Sequence, residues 1–277
     1  MAYIAARDGT QLYYRDEGNG RPIVMAHGWK ASSDVYSQII ERLSPDYRCI
    51  AYDQRGHLRS SVPANPPVMQ TLAEDLNEII CKLCPNEKPM LIGWSMGGAT
   101  VLEYIRRFGC ANIDRILIVD FPPKMLSDDT WSLGRLNGSY DEKLLNEDIS
   151  EMNRNFRAFL ADYYARTNPS YLALPFDEQQ KMIITRMKGH DPAVLTSLWE
   201  SLCRSDYREV LPRITVPAAV FHAGILPSCS QGAAEYYRQH IPGEIKTVLF
   251  ENASHALMSE YPDRFCAELR KLYAARP

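Results

Sequence analysis

The chain has 277 residues, 45% of them hydrophobic, with 34 acidic against 31 basic side chains and a formal net charge of −3. Length and composition fit one large globular domain or two small ones. The near-balanced charge, without a lysine and arginine cluster, excludes a nucleic-acid surface, and no apolar run approaches the ~20 residues of a membrane span. The opening MAYIAARDGTQL lacks the basic-then-apolar order of a signal peptide. Seven cysteines, odd in number and scattered, point to reduced thiols and a cytoplasmic setting rather than a disulfide framework.

Residues 2–16 read as two strands around the hairpin signal Asp8-Gly9. Pro22 to Ala26 is a short apolar strand that runs into His27-Gly28-Trp29. Val35, Ile39, Ile40 and Leu43 recur at helical spacing, and Tyr47 to Asp53 reads as the next strand, closed by Gln54-Arg55-Gly56. A helix covers about 71–83, with Leu72, Leu76, Ile79, Ile80 and Leu83 on one face. Pro89 to Trp94 is a strand and Met96 onward a helix, followed by a strand from Ile113 to Val119 that ends at Asp120.

From about 127 to 205 helical segments follow one another without a strand. Ile149, Met152, Phe156, Phe159, Leu160 and Tyr163 share helical spacing, and Asp191-Pro192 is a cap residue with proline at the first helical position. Val216 to His222 and Ile245 to Phe250 are the last strands, and 230–240 and 260–274 the last helices. Alternating strands and helices imply an α/β fold, a parallel sheet with helices on both faces. The expected division is a core of residues 1–126 and 206–277, with 127–205 an all-helical lid over the sheet's C-terminal edge, where open α/β sheets place ligands.

The chemistry centres on Gly93-Trp94-Ser95-Met96-Gly97, between a strand and a helix. That is the context of a G-x-S-x-G nucleophile elbow, where a sharp turn exposes a serine and flanking glycines relieve backbone collisions. The helix N-terminus faces the reaction centre, and the Met96 N–H can donate to a developing oxyanion. A serine hydroxyl needs a base, and the base an acid to fix its tautomer. Among six histidines, His255 lies in a small-residue loop after the last strand, at the same sheet edge as the elbow. His190, His222 and His240 read as packing or surface residues.

Together the strand followed by His27-Gly28-Trp29, Asp53-Gln54-Arg55-Gly56, Gly93-Trp94-Ser95-Met96-Gly97-Gly98 and Ser254-His255 resemble the α/β-hydrolase superfamily. The similarity is greatest to its single-domain serine esterases and cofactor-free haloperoxidase-like members, and it spans nearly the whole chain outside the lid. The resemblance implies a mostly parallel, twisted eight-stranded sheet flanked by helices. It also implies that Trp29 and Met96 supply the oxyanion-hole N–H groups.

The acid departs from the family pattern. The usual Gly-x-x-Asp turn after the lid is here Gly224-Ile225-Leu226-Pro227-Ser228-Cys229-Ser230, which carries no carboxylate before Glu235. Asp120, at the end of the strand after the elbow helix, opens on the same edge and is the expected acid, with Asp128 and Asp129 as alternatives. His27 reads as a brace for the oxyanion loop, and Asp53 and Arg55 as residues that pair or hydrogen-bond to fix the loop after their strand. His57 and Leu58 stand where relatives have small residues and would intrude on the pocket. Cys81 and Cys84 form C-x-x-C late in a helix, away from the N-terminal position that stabilises a thiolate, and read as packing residues.

No metal-ligand spacing or phosphate loop occurs, so no metal or cofactor is expected. Most lid aromatics and methionines form the lid's own core. The remainder, with Trp94, Trp131 and Phe156 as the named contacts, would line an apolar pocket for a small-molecule substrate. The expected function is hydrolysis of small, largely apolar carboxylic esters, with lactones included, by Ser95, His255 and Asp120. Alternatives on the same fold are haloperoxidase or perhydrolase activity, C–C hydrolysis, a cofactor-free dioxygenase, and a slow-turnover ligand receptor. No nucleic-acid or membrane partner is implied, and the sequence does not address oligomeric state.

Overall fold

The computed structural model describes residues 2–225 and 232–274. Its strands are β1 (Ala2–Ala5), β2 (Gln11–Glu17), β3 (Pro22–Ala26), β4 (Arg48–Tyr52), β5 (Met90–Trp94), β6 (Arg115–Val119), β7 (Ala218–Ala223) and β8 (Ile245–Phe250). They form one eight-stranded sheet in the order β1-β2-β4-β3-β5-β6-β7-β8. The β1–β2 and β2–β4 pairs are antiparallel, and every other pair is parallel. The β1–β2 turn uses Gly9 at φ 86°, with the Asp8 carboxylate accepting from the Thr10 N–H. β3 and β6 are buried along their whole length and β5 along nearly all of it, as strands covered on both faces must be.

One sheet face is covered by α1 (Ser37–Leu43), α9 (Leu257–Glu260) and α10 (Pro262–Ala274), whose Ile39, Leu43, Leu257, Phe265 and Leu269 join a single apolar cluster. The other carries α2 (Met69–Leu83), α3 (Met96–Phe108) and α8 (Gly232–His240). A 3₁₀ turn over Ser33–Tyr36 precedes α1, and the expected 260–274 helix is α10, preceded by the separate short α9, which Pro262 cannot continue because it has no backbone N–H to donate.

Between β6 and β7 lie α4 (Glu142–Thr167), α5 (Pro169–Leu172), α6 (Phe176–Met187) and α7 (Pro192–Arg204). The Asp191 side chain caps α7 through the N–H groups of Ala193 and Val194. Asp141 caps α4 through Leu144, and α4 is broken at Asn155 (φ −156°, ψ 82°). Phe156, Phe159, Leu160, Leu195, Leu198 and Trp199 from these helices belong to the same apolar cluster as Leu72 and Leu76 of α2 and Tyr104 of α3. The inserted helices therefore share a core with one sheet face. Phe159 is 1% exposed within it. Phe159→Ala should cost about 3–5 kcal/mol and lower one cooperative calorimetric transition. A separate early transition of the inserted helices would contradict the shared core.

Candidate active site

β5 lies between β3 and β6, and at its end the chain turns through Ser95 (φ 54°, ψ −121°) directly into α3. A non-glycine residue at positive φ is costly and persists only where its surroundings enforce it. Two hydrogen bonds help to hold it: the Ser95 N–H donates to Val119 O (2.9 Å), and Ser95 O accepts from the Gly98 N–H (2.7 Å). The glycines permit the approach. A Cβ on Gly93 would stand 2.2 Å from Gly97 O, and one on Gly97 would stand 2.0 Å from Ala26 O.

Asp120 follows β6 in the next parallel strand, also at positive φ (48°), and is fully buried. Its N–H donates to Phe221 O (2.8 Å) and its Oδ1 accepts from the Ala223 N–H (3.2 Å), both on β7. Its Oδ2 lies 2.5 Å from His255 Nδ1. His255 arrives from the loop after β8, which is fastened twice. The Trp94 indole N–H donates to His255 O (2.9 Å) and its ring lies 5.1 Å from the imidazole. Ser254 donates to the Glu260 carboxylate from its N–H and its hydroxyl. Residues 120 and 255 are thus joined, and Trp94 braces the histidine. Among the described residues no hydrogen bond links Ser95 Oγ to His255. Part of the atypical turn, residues 226–230, lies outside the described residues.

The loop after β3 lies against the elbow: a Cβ on Gly28 would stand 3.1 Å from Ser95 Cβ. His27 Nδ1 donates to Gly28 O (2.8 Å), and Nε2 accepts from the Gln54 N–H (2.9 Å). Burial pushes its pKa down to about 4, so this imidazole is a neutral brace. His57 repeats the pattern: it bonds Arg55 O and accepts from the Lys30 N–H, with its pKa lowered to about 3, mainly by burial. The β4 loop therefore does reach the loop beside Ser95. Asp53 and Arg55, expected to pair or hydrogen-bond, do so with other residues and not with each other. Asp53 binds Arg59 and the Ser33 N–H, while Arg55 binds Asp75 and Asp8. Met96 is the first residue of α3, so its N–H has no intrahelical acceptor. The Trp29 N–H likewise meets no acceptor among the described residues.

The Trp29 indole donates to Leu195 O of α7 (2.9 Å) and packs against Trp199 (4.9 Å), Tyr163 (5.8 Å), Phe156 and Phe159 (6.3 Å each). Phe156 is thereby brought to the loop after β3. Trp131 is not. Its ring packs on Tyr236 of α8 (4.8 Å) and Arg208, and its N–H donates to Lys124 O (2.9 Å). Its partners thus come from the β6 exit and the core helix α8, which corrects its expected place in the substrate pocket.

Lys30 escaped the sequence reading, although it directly follows His27-Gly28-Trp29. Its ammonium bonds the Tyr164 hydroxyl of α4 and lies 4.7 Å from that ring's centre. Burial, aided by Arg186, lowers its pKa to about 7. Cys84 is buried with a thiol pushed up to about 11, which opposes thiolate chemistry at C-x-x-C. Among the described residues no group of three His, Cys, Asp or Glu side chains could hold a metal ion, and no helix is long and apolar enough to cross a membrane.

Residues 21–262 match the family described as the alpha/beta hydrolase fold. The chain belongs to that family. It is 35% identical over 281 aligned residues to a non-heme chloroperoxidase of Streptomyces lividans, covering 95% of this chain and 96% of the relative. It is 23% identical to a pimeloyl-[acyl-carrier protein] methyl ester esterase of Nitrosospira multiformis, covering 94% and 97%. The structure of an esterase from Exiguobacterium antarcticum superposes with a TM-score of 0.83 at 26% identity, covering 99% of each chain. Membership of the α/β-hydrolase family, together with esterase relatives, supports hydrolase activity.

The depressed Lys30 pKa has a stability consequence. Its value of about 7 lies below the ordinary 10.5, so the folded chain releases this proton before the unfolded one does. The penalty of burying the ammonium is fully present below pH 7 and relieved as pH rises from 7 to 10.5. Lys30→Met should raise Tm by roughly 2–8 °C at pH 6, and the gain should shrink by pH 10. Equal gains at both pH values would exclude the buried charge as the cause.

Proposed function

We propose that the chain hydrolyses carboxylic esters, lactones included, through a serine nucleophile. The observation that carries this reading is the 2.5 Å contact between the buried Asp120 and His255 Nδ1, at the sheet edge where Ser95 is held at the elbow. With Nδ1 engaged, Nε2 is the nitrogen left to take the Ser95 proton. Catalytic hydrogen bonds of this kind often tighten only when substrate binds.

In this mechanism Ser95 Oγ bonds to the acyl carbon as His255 takes its proton, and the carbonyl electron pair moves onto oxygen. The N–H groups of Trp29 and Met96 stabilise that oxyanion. Its collapse breaks the ester C–O bond, and the imidazolium protonates the leaving alkoxide. Water, deprotonated by His255, then attacks the acyl-enzyme and releases the acid and free Ser95. Asp120 stabilises the imidazolium throughout. Trp29 and Phe156 supply apolar contacts for the acyl group, and residues 127–205 act as a lid on the core of 1–126 and 206–277.

The esterase names of several relatives favour this reading. The chloroperoxidase names of others favour a second outcome from the same acyl-enzyme, attack by hydrogen peroxide to give a peracid. Both need the same residues. On short-to-medium acyl aryl esters, Ser95→Ala and Asp120→Asn should each lower turnover on the order of 10^4-fold. Undiminished turnover by Ser95→Ala would refute the serine mechanism, and undiminished turnover by Asp120→Asn would refute the acid assignment.

A further inference from the structure

The segment between β6 and β7 buries an arginine that the hydrolytic machinery does not use. Arg135 is 3% exposed, yet its side chain has neither a hydrogen bond nor an ion pair among the described residues, and Nη1 is buried without a partner. Arginine keeps its charge in proteins, and an uncompensated buried charge is strongly unfavourable. The guanidinium is instead surrounded by rings: Tyr140 (4.9 Å), Trp199 (5.1 Å) and Tyr163 (5.3 Å). Asp148, the carboxylate of the same cluster, is already occupied by the Tyr140 hydroxyl and Arg166.

Two of those rings, Trp199 and Tyr163, also pack on Trp29, which follows Gly28, the residue that lies against Ser95. Successive separations of 4.9 and 5.1 Å through Trp199 place the guanidinium within about 10 Å of the Trp29 ring. The backbone that presents Arg135 is unusual. Leu136 and Asn137, the next residues, both have positive φ (53° and 54°), a conformation costly for leucine. Backbone strain of this kind gathers at ligand-binding positions. Lys30, which also lies against Trp29, is a second cation without a carboxylate partner among the described residues.

We propose that Arg135 is the anion-recognising residue of the acyl pocket, so that the preferred ester carries a carboxylate at the far end of its acyl chain. This deepens the ester-hydrolase reading and rests on it. A planar guanidinium matches a carboxylate through paired N–H···O bonds, and burial among rings strengthens the attraction by excluding water. The substrate class is a half-ester, or an equivalent lactone, of a dicarboxylic acid. It differs from the wholly apolar ester expected from sequence.

The test compares monomethyl glutarate and monomethyl adipate with methyl pentanoate and methyl hexanoate, which replace the carboxylate by a methyl group. Wild type should prefer the anionic member of each pair by a kcat/KM ratio on the order of tenfold to a hundredfold. Arg135→Met should bring that ratio towards unity, and Arg135→Lys should retain part of it, keeping the charge without the fork. Calorimetric binding of adipate to Ser95→Ala provides an arm independent of turnover. Binding should occur there and be lost in the Ser95→Ala/Arg135→Met double variant. No ester turnover together with Arg135-dependent adipate binding would refute the hydrolase reading and leave the anion site standing. Equal kcat/KM for both esters of a pair, or adipate binding that ignores the Arg135 substitution, would overturn the proposal. A lowered Tm for Arg135→Met with an unchanged ratio would also overturn it, assigning Arg135 to packing alone.

Discussion

Helix α3 begins so close to the neighbouring strands that one methyl group on Gly97 would stand 2.0 Å from the Ala26 carbonyl oxygen. That approach constrains the centre of the molecule. With Gly93 and Gly97 bare, β5 can turn abruptly into α3, and the turn leaves Ser95 in a backbone conformation that an unconstrained chain would avoid. The same closeness sets the β3 loop against the serine, because His27-Gly28-Trp29 continues from the strand on which Gly97 rests. The N–H groups at residues 29 and 96, which meet no acceptor among the described residues, lie on the two segments that this packing brings together.

Around that centre the sheet order brings together residues far apart in sequence. β5, β6, β7 and β8 are consecutive neighbours and parallel, so the chain segments that leave them emerge at one edge. Asp120 leaves β6 and is held by two β7 backbone groups, one through its N–H and one through Oδ1, which turn its other oxygen towards the loop after β8. A buried carboxylate is tolerable when hydrogen bonds replace lost water, and Asp120 has them. A buried carboxylate thus meets His255 although the turn after β7 carries none before Glu235. The strand before the inserted helices opens on the same edge.

The inserted helices settle onto this edge by sharing its core. Trp29 reaches from the loop after β3 into the aromatic cluster of α4 and α7, and its indole N–H bonds an α7 carbonyl. Rings that pack on Trp29 also surround Arg135, so the packing that fixes the loop beside Ser95 also holds an uncompensated cation. Lys30 reaches α4 from the same loop. Charge in an otherwise aromatic interface gives that region a chemical preference that its apolar content alone would hide.

The elements themselves were legible from local pattern. Apolar runs gave the buried strands, 3.6-residue spacing gave the helices, and Asp191-Pro192 marked a real helix start because capping is decided by neighbours in sequence. The Ser95 elbow and the absence of a carboxylate before Glu235 were equally local, which left Asp120 as the leading acid by elimination and edge position. Packing partners were not legible. Trp131 and Phe156 both read as pocket aromatics, yet only Phe156 meets Trp29, since spacing shows which residues share a face and not what that face meets. Asp53 and Arg55 are two residues apart and still choose different partners, in Arg59 and Asp75. Lys30 and Arg135 look like ordinary charged residues in a sequence with balanced charge. The α/β architecture and the serine turn rest on short-range periodicity and backbone sterics, so both are written in local sequence. The meeting of Asp120 with His255, and the placing of Lys30 and Arg135 among rings, depend on chain segments distant in sequence, and the folded packing alone reveals them.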